Sequence, residues 1–335
     1  MTHSHDIPYD SSDQSPDYNQ KLADLLEHEF PNLILPKRSF DAMVAGLDIS
    51  RQNNGGDPES ENYKDYHNDE HPFGMVQRAY SLLGLLKEAG VDVQTCHYEV
   101  VGIATTFHDG IVRKPVDLDP EDADKSVEQL SADLALQHMP LQRYPGDPNG
   151  FIHEERSFVY SGIEVTEVEH QDGQVLRPKV FEPGRHWTGW VITTADTGNA
   201  FFEDLDVNIR DLSRLSTEYS DQGSKNVTLV KDSVKKLLQS EKPFLERLDI
   251  DLHRGILKFF PEKADRVTEV LDAHFEHRFS QMLKAADVID NHLAVILTAV
   301  EEMLHESKDS LIRRTDKIHE TIMRVLRNLP PSSSE

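Results

Sequence analysis

A chain of 335 residues with 37% hydrophobic content can hold one large domain or two ordinary ones and can bury a core. Sixty acidic against 35 basic residues give a formal charge of -25, which argues against polymeric nucleic acid or anionic lipid as a partner. A small anionic substrate stays compatible with that charge, because a bound dication dominates the field inside a pocket.

The single cysteine, Cys96, has no partner for a disulfide or a CxxC zinc site, so a metal here must be held by histidine and carboxylate. No apolar run approaches the roughly 20 residues that span a bilayer. The stretch Met1 to Asp6 lacks the basic and apolar regions of a signal peptide, so the expectation is a cytoplasmic protein without a membrane partner.

Residues 1–30 read as a flexible N-terminal segment, with helical spacing only from Tyr18 to Phe30. Leu33 to Leu47 is apolar, and Gln52 to Pro58 reads as a loop. Tyr66 to Ala89 reads as a turn and then a helix, with Phe73, Val76, Tyr80, Leu83 and Leu86 at spacings of three and four. Proline is tolerated only in a helix's first turn, so Pro72 makes Asp69 the expected N-cap and puts His71 in the first turn.

Glu99 to Phe107 is apolar on nearly all sides, which predicts a buried helix that Gly110 ends and that delivers His108-Asp109 to a cavity wall. Ala123 to Met139 resumes a helix, and Tyr144 to Gly150 is a break. Phe151 to His170 shows both helical spacing and strand-like alternation, and residues 171–186 read as a loop or small hairpin. Trp187 to Ala195 is a second apolar element, and it delivers Asp196.

From Leu205 onward the pattern is helical, over Leu229 to Phe244, Leu248 to Phe260 and Ala264 to Leu326, the last as one helix or as two joined near Ser307-Lys308-Asp309. The expectation is an all-α fold with a site domain over 31–215. A helical region over 216–335 packs on it or makes a homodimer.

The chemistry concentrates in Tyr66-His67-Asn68-Asp69-Glu70-His71, His108-Asp109 and Asp196. His71, His108, Asp109 and Asp196 offer two nitrogen and two oxygen ligands, a set suited to zinc, manganese, iron or magnesium that leaves coordination room for water or substrate. A metal in such a site makes a nucleophile of its bound water, and His67, one turn earlier, is placed to protonate a departing oxygen. Taken singly, each of these residues is as readily a helix cap or a surface group. The buried His-Asp pair is the hardest to explain structurally, because an unpartnered buried carboxylate is costly.

The run Tyr66-His67-Asn68-x-x-His71, followed by His108-Asp109 and Asp196, resembles the HD superfamily of metal-dependent phosphohydrolases, in the form found in cyclic-nucleotide phosphodiesterases and in small bacterial HD proteins. The resemblance covers about residues 60–200. It implies a helical HD bundle with a C-terminal extension, one or two divalent ions, His71, His108, Asp109 and Asp196 as ligands, Asp109 bridging to a second ion, and His67 as proton donor. The implied substrate is a small phosphate ester such as a nucleotide. Arg113, Lys114 and Glu128 are candidates for substrate contact; Arg78 is a weaker one, and His153 and Glu154 are further candidates around the metal.

Three rival readings remain. His67-Asn68-Asp69-Glu70-His71 also fits the inverted zincin pattern H-x-x-E-H, with Glu70 as base. His138, His153 and His170 lie where HD-type di-iron oxygenases carry extra ligands. A non-catalytic helical dimer or ligand sensor is the third.

Overall fold

The computed structural model describes residues 17–54, 63–68, 70–112, 114, 122–171, 174–219, 226–306 and 311–328. Its elements in chain order begin with α1 (Tyr18–Glu29), α2 (Lys37–Asn54), α3 (Glu70–Glu88), α4 (Thr95–Phe107), α5 (Val127–Gln137) and α6 (His153–Glu164). A small antiparallel hairpin, β1 (Glu169–Gln171) and β2 (Gln174–Leu176), leads through a short 3-10 turn to α7 (Trp187–Thr197) and α8 (Asn199–Phe202). The chain closes with α9 (Leu205–Tyr219), α10 (Val227–Phe259), α11 (Ala264–Glu306) and α12 (Leu311–Asn328). The class is all-α, and no helix among the described residues is long and apolar enough to cross a membrane.

Helix α4 is the axis of the bundle. Every residue from Tyr98 to Phe107 is buried, and α2, α3, α5, α6 and α7 all pack around it. Close approach needs small side chains: a Cβ on Gly102 would overlap Tyr80 and Met43, and one on Gly46 would overlap Thr106 and Phe107. Arg38 ties α2 to α4 and α6 through Glu99 (3.2 Å) and Glu155 (2.7 Å), so the charge it brings inward is matched on both sides.

One apolar core runs from Tyr18 through Trp190 to Leu245, Leu252, Ile256 and Phe275. A second gathers Ile209, Val234, Leu238, Ile296, Val300, Ile318 and Ile322 from α9 to α12. The two helices expected over Leu229 to Phe244 and Leu248 to Phe260 are a single helix, α10, which runs through Pro243. Burial of Leu238, Glu241, Leu245 and Leu248 on one face carries the helix across the hydrogen bond that proline cannot make. The span from Ala264 divides into α11 and α12, and the open stretch from Phe151 becomes α6 followed by β1. The loop expected at Gln52 begins later, since α2 continues to Asn54, and residues 55–58 lie outside the described residues, as do residues 1–16 and Asp69.

Candidate metal centre

Three helix ends bring the site together. Pro72 and His71 lie in the first turn of α3, as the proline requires. The Asn68 side chain fastens the preceding loop to this helix: Oδ1 accepts from the Glu70 N–H (2.8 Å), and Nδ2 donates to the Asp65 carbonyl (2.9 Å). His108 and Asp109 follow the last turn of α4, where Asn53 and Asn54 donate to the carbonyls of Gly110 and Asp109 (2.7 Å each) and hold the turn. Asp196 stands at the end of α7. Arg78 on α3 donates from Nε to the neighbouring Ala195 carbonyl (2.7 Å), joining the two helix ends.

His71 Nε2, His108 Nε2 and a carboxylate oxygen of Asp196 lie within 4.8 Å of one another, so this cluster could hold a metal ion. His71 Nε2 is 3.3 Å from His108 Nε2 and 3.2 Å from Asp196 Oδ1, and His108 Nε2 is 3.6 Å from that oxygen. Atoms bound to one ion at about 2.1 Å stand roughly 3.0 to 3.4 Å apart, so the spacing fits a shared cation. Asp109, the fourth expected ligand, lies beside this group rather than in it: its Oδ2 is 2.8 Å from His108 Nε2 and 3.6 Å from His71 Nε2. His108 Nδ1 donates to the Thr105 carbonyl (2.9 Å), which fixes the tautomer and turns Nε2 toward the cluster.

Burial and the neighbouring charges act in opposite directions on the groups of this cluster. Burial disfavours a charged imidazole at both histidines. At His71 burial wins and the pKa falls to about 4; at His108 the Asp109 and Asp196 carboxylates outweigh burial and raise it to about 10. Burial would raise both aspartates, but His108 holds Asp109 below the usual carboxylate range, and Arg177 together with the histidines does the same for Asp196.

His67 is not part of that cluster. It precedes α3, and its Nδ1 is 2.7 Å from Glu218 Oε1 on α9, while Glu218 Oε2 accepts the backbone N–H groups of Tyr66 and His67 (3.1 and 3.2 Å). Burial works against the imidazolium, but the Glu218 hydrogen bond and the surrounding carboxylates outweigh it and raise the pKa of His67. Tyr66 is the wedge between the two histidines: its ring is edge-on to His67 (4.8 Å) and tilted against His71 (4.7 Å).

Sequence reasoning missed Glu218 and Arg177. Arg177 follows β2 and donates from Nη2 to Asp196 Oδ2 (2.5 Å), orienting the carboxylate whose other oxygen meets the imidazoles. Neither residue stands out in the sequence, because each is one more charge in a charged stretch. Both His67 and Arg177 line a cavity of about 320 Å³, with His108, Asp109, Asp196, Glu128, Asp211, Glu241 and Phe244 among its other walls.

Of the substrate candidates, Glu128 lines this cavity, whereas Lys114 is exposed, donates to the Ala123 carbonyl (3.0 Å) and takes no part in the wall. Arg113 lies outside the described residues. Arg78 is committed to the α3–α7 tie and to Glu203 (3.6 Å). His153 and Glu154 are exposed at the start of α6, His138 packs on Phe107, and the side chain of His170 lies outside the described residues. No further histidine joins the cluster among the described residues. The zincin pattern also fails to form: His67 precedes the helix that carries His71, and Glu70 is turned to Arg214 (3.2 Å).

No family model, curated protein or solved structure matches the chain.

Proposed function

We propose that this chain is a metal-dependent phosphohydrolase acting on a small phosphate ester, and that it is an HD-type protein as its motifs suggest. The observation that carries the proposal is a His/His/Asp cluster, two of whose members, His108 and Asp196, line a cavity whose wall also holds a separate histidine, His67, bound to a carboxylate. His71, His108, Asp109 and Asp196 would hold the ion, which supplies an activated water and polarises a phosphoryl oxygen.

The protein's own residues do the rest. Glu218 favours the protonated form of His67, and its bond to Nδ1 leaves Nε2 as the ring nitrogen free to give up a proton. That proton goes to the oxygen of the departing alcohol, for which a good acid matters most when the leaving group is a poor one. Arg177 keeps Asp196 in position, and the apolar part of the wall, including Val127, Leu212 and Phe244, limits the water around the ester.

The test is a screen of the manganese-, zinc- and iron-reconstituted protein against p-nitrophenyl phosphate, bis(p-nitrophenyl) phosphate and the nucleoside mono- and cyclic phosphates. Turnover that chelation removes and His108→Ala abolishes supports the proposal. Metal-loaded protein inert toward every ester would overturn it.

A further inference from the structure

Glu241 is the buried group that the reaction above leaves unused. It sits on α10 with 6% of its surface exposed, lines the same cavity as His108 and Asp196, and has no hydrogen bond or ion pair among the described residues. Burial with nothing to oppose it raises its pKa to about 7. A structural carboxylate buried to this degree normally has a cation or several donors around it.

The rest of the wall leans the same way. Among the described residues five carboxylates line the cavity, from Asp109, Glu128, Asp196, Asp211 and Glu241, against the Arg177 guanidinium, which is already bound to Asp196, and the His67 imidazole, which is already bound to Glu218. A divalent ion would neutralise the Asp109 and Asp196 end, where a phosphate belongs. It would leave Glu128, Asp211 and Glu241 as the remaining carboxylates of the wall; Asp211 accepts from the Asn199 amide (2.6 Å) and has the positive charges of Arg78 and Arg214 near it, whereas burial alone acts on Glu241. Phe244, three residues beyond Glu241 and so on the same side of α10, presents an aromatic ring to the same space.

We propose that the substrate carries a protonated amine at the end away from its phosphate and that Glu241 binds this amine, so that the ligand class is an aminoalkyl phosphate ester. The inference rests on the phosphohydrolase reading and narrows it. An ammonium group would give Glu241 the partner that the protein withholds, and the face of Phe244 would add a cation–π contact. A neutral organic group would leave the carboxyl desolvated without return.

The experiment uses the manganese-loaded full chain and isothermal titration with 2-aminoethyl, 3-aminopropyl, 4-aminobutyl and 6-aminohexyl phosphate, each paired with the alkyl phosphate of the same length. At least one amine should bind about tenfold tighter than its alkyl partner, as expected for a desolvated charge pair. In Glu241→Gln and Glu241→Leu that advantage should shrink below about twofold. Retention of the wild-type manganese stoichiometry shows that the variants are folded.

Four results overturn the inference: no pair differing by more than about twofold, an advantage that survives both substitutions, a nucleoside monophosphate binding tighter than every aminoalkyl phosphate, or loss of one metal ion in the Glu241 variants. If alkyl phosphates bind without preference for the amine, this inference fails alone. If no alkyl phosphate binds and p-nitrophenyl phosphate is not hydrolysed, the phosphohydrolase reading fails and takes this one with it.

Discussion

Replacing Glu241 by glutamine should change how the stability of the protein depends on pH. Burial moves this carboxyl from 4.5 in the unfolded chain to about 7 in the folded one. Between those two values the folded state holds the proton more tightly than the unfolded state, so the contribution of Glu241 to stability falls as pH rises and levels off above the higher one. At about 1.4 kcal/mol per pH unit, the ionised carboxylate costs the fold about 3 kcal/mol at pH 8 relative to its protonated form. The 6% exposure of the residue leaves little solvent to screen that cost. Glutamine keeps the shape and removes the titration. Urea unfolding of the metal-free protein at pH 5, 6, 7 and 8, read as variant minus wild type, should show the variant gaining about 2 to 3 kcal/mol across the series. Parallel profiles for the two proteins would mean that the carboxyl is solvated, and both the argument from burial and the unmatched charge in the cavity would fall.

Other consequences are equally open to measurement. His108→Ala and Asp196→Ala should each abolish stoichiometric binding of manganese or zinc in titration calorimetry, and retained stoichiometry in either would refute the cluster as a metal site. Arg177→Gln should lower metal affinity about 10- to 100-fold, the usual effect of removing a group that orients a ligand; an unchanged affinity would show that Asp196 is held by the fold alone. His67→Ala should keep the metal and lose rate, most with poor leaving groups. Glu218→Gln should move the alkaline limb of the pH–rate profile to lower pH, because the carboxylate is what raises His67, and an unmoved limb would count against His67 as the acid. Gly255→Ala places a methyl group inside the Trp190 ring and should destabilise the protein by about 2 to 3 kcal/mol in thermal unfolding.

The parts of the site that could be read from the chain are those whose position is a local matter. Pro72 is best accommodated in a helix's first turn, and that puts His71 in the first turn of α3. The apolar run before His108 could only be buried, and the one before Asp196 follows the same logic, so both carry their polar ends to an interior wall. Boundaries were less legible. The caps of α5 moved inward to Ser126 and His138, and α10 crossed a proline that on pattern alone separates two helices.

From the residues themselves came the all-α class and the two aspartates and three histidines, because helix periodicity, proline geometry and the cost of burying charge act over a few neighbouring positions. Tertiary structure alone decided which charge met which. Glu218 reaches His67 across 151 residues, Arg177 takes Asp196, and Glu241 turns inward with no partner among the described residues. In a chain with 60 acidic side chains, a glutamate on a helix reads the same whether it faces water or a cavity. Only the placement of α9 and α10 around the cavity that His108 and Asp196 line makes the difference.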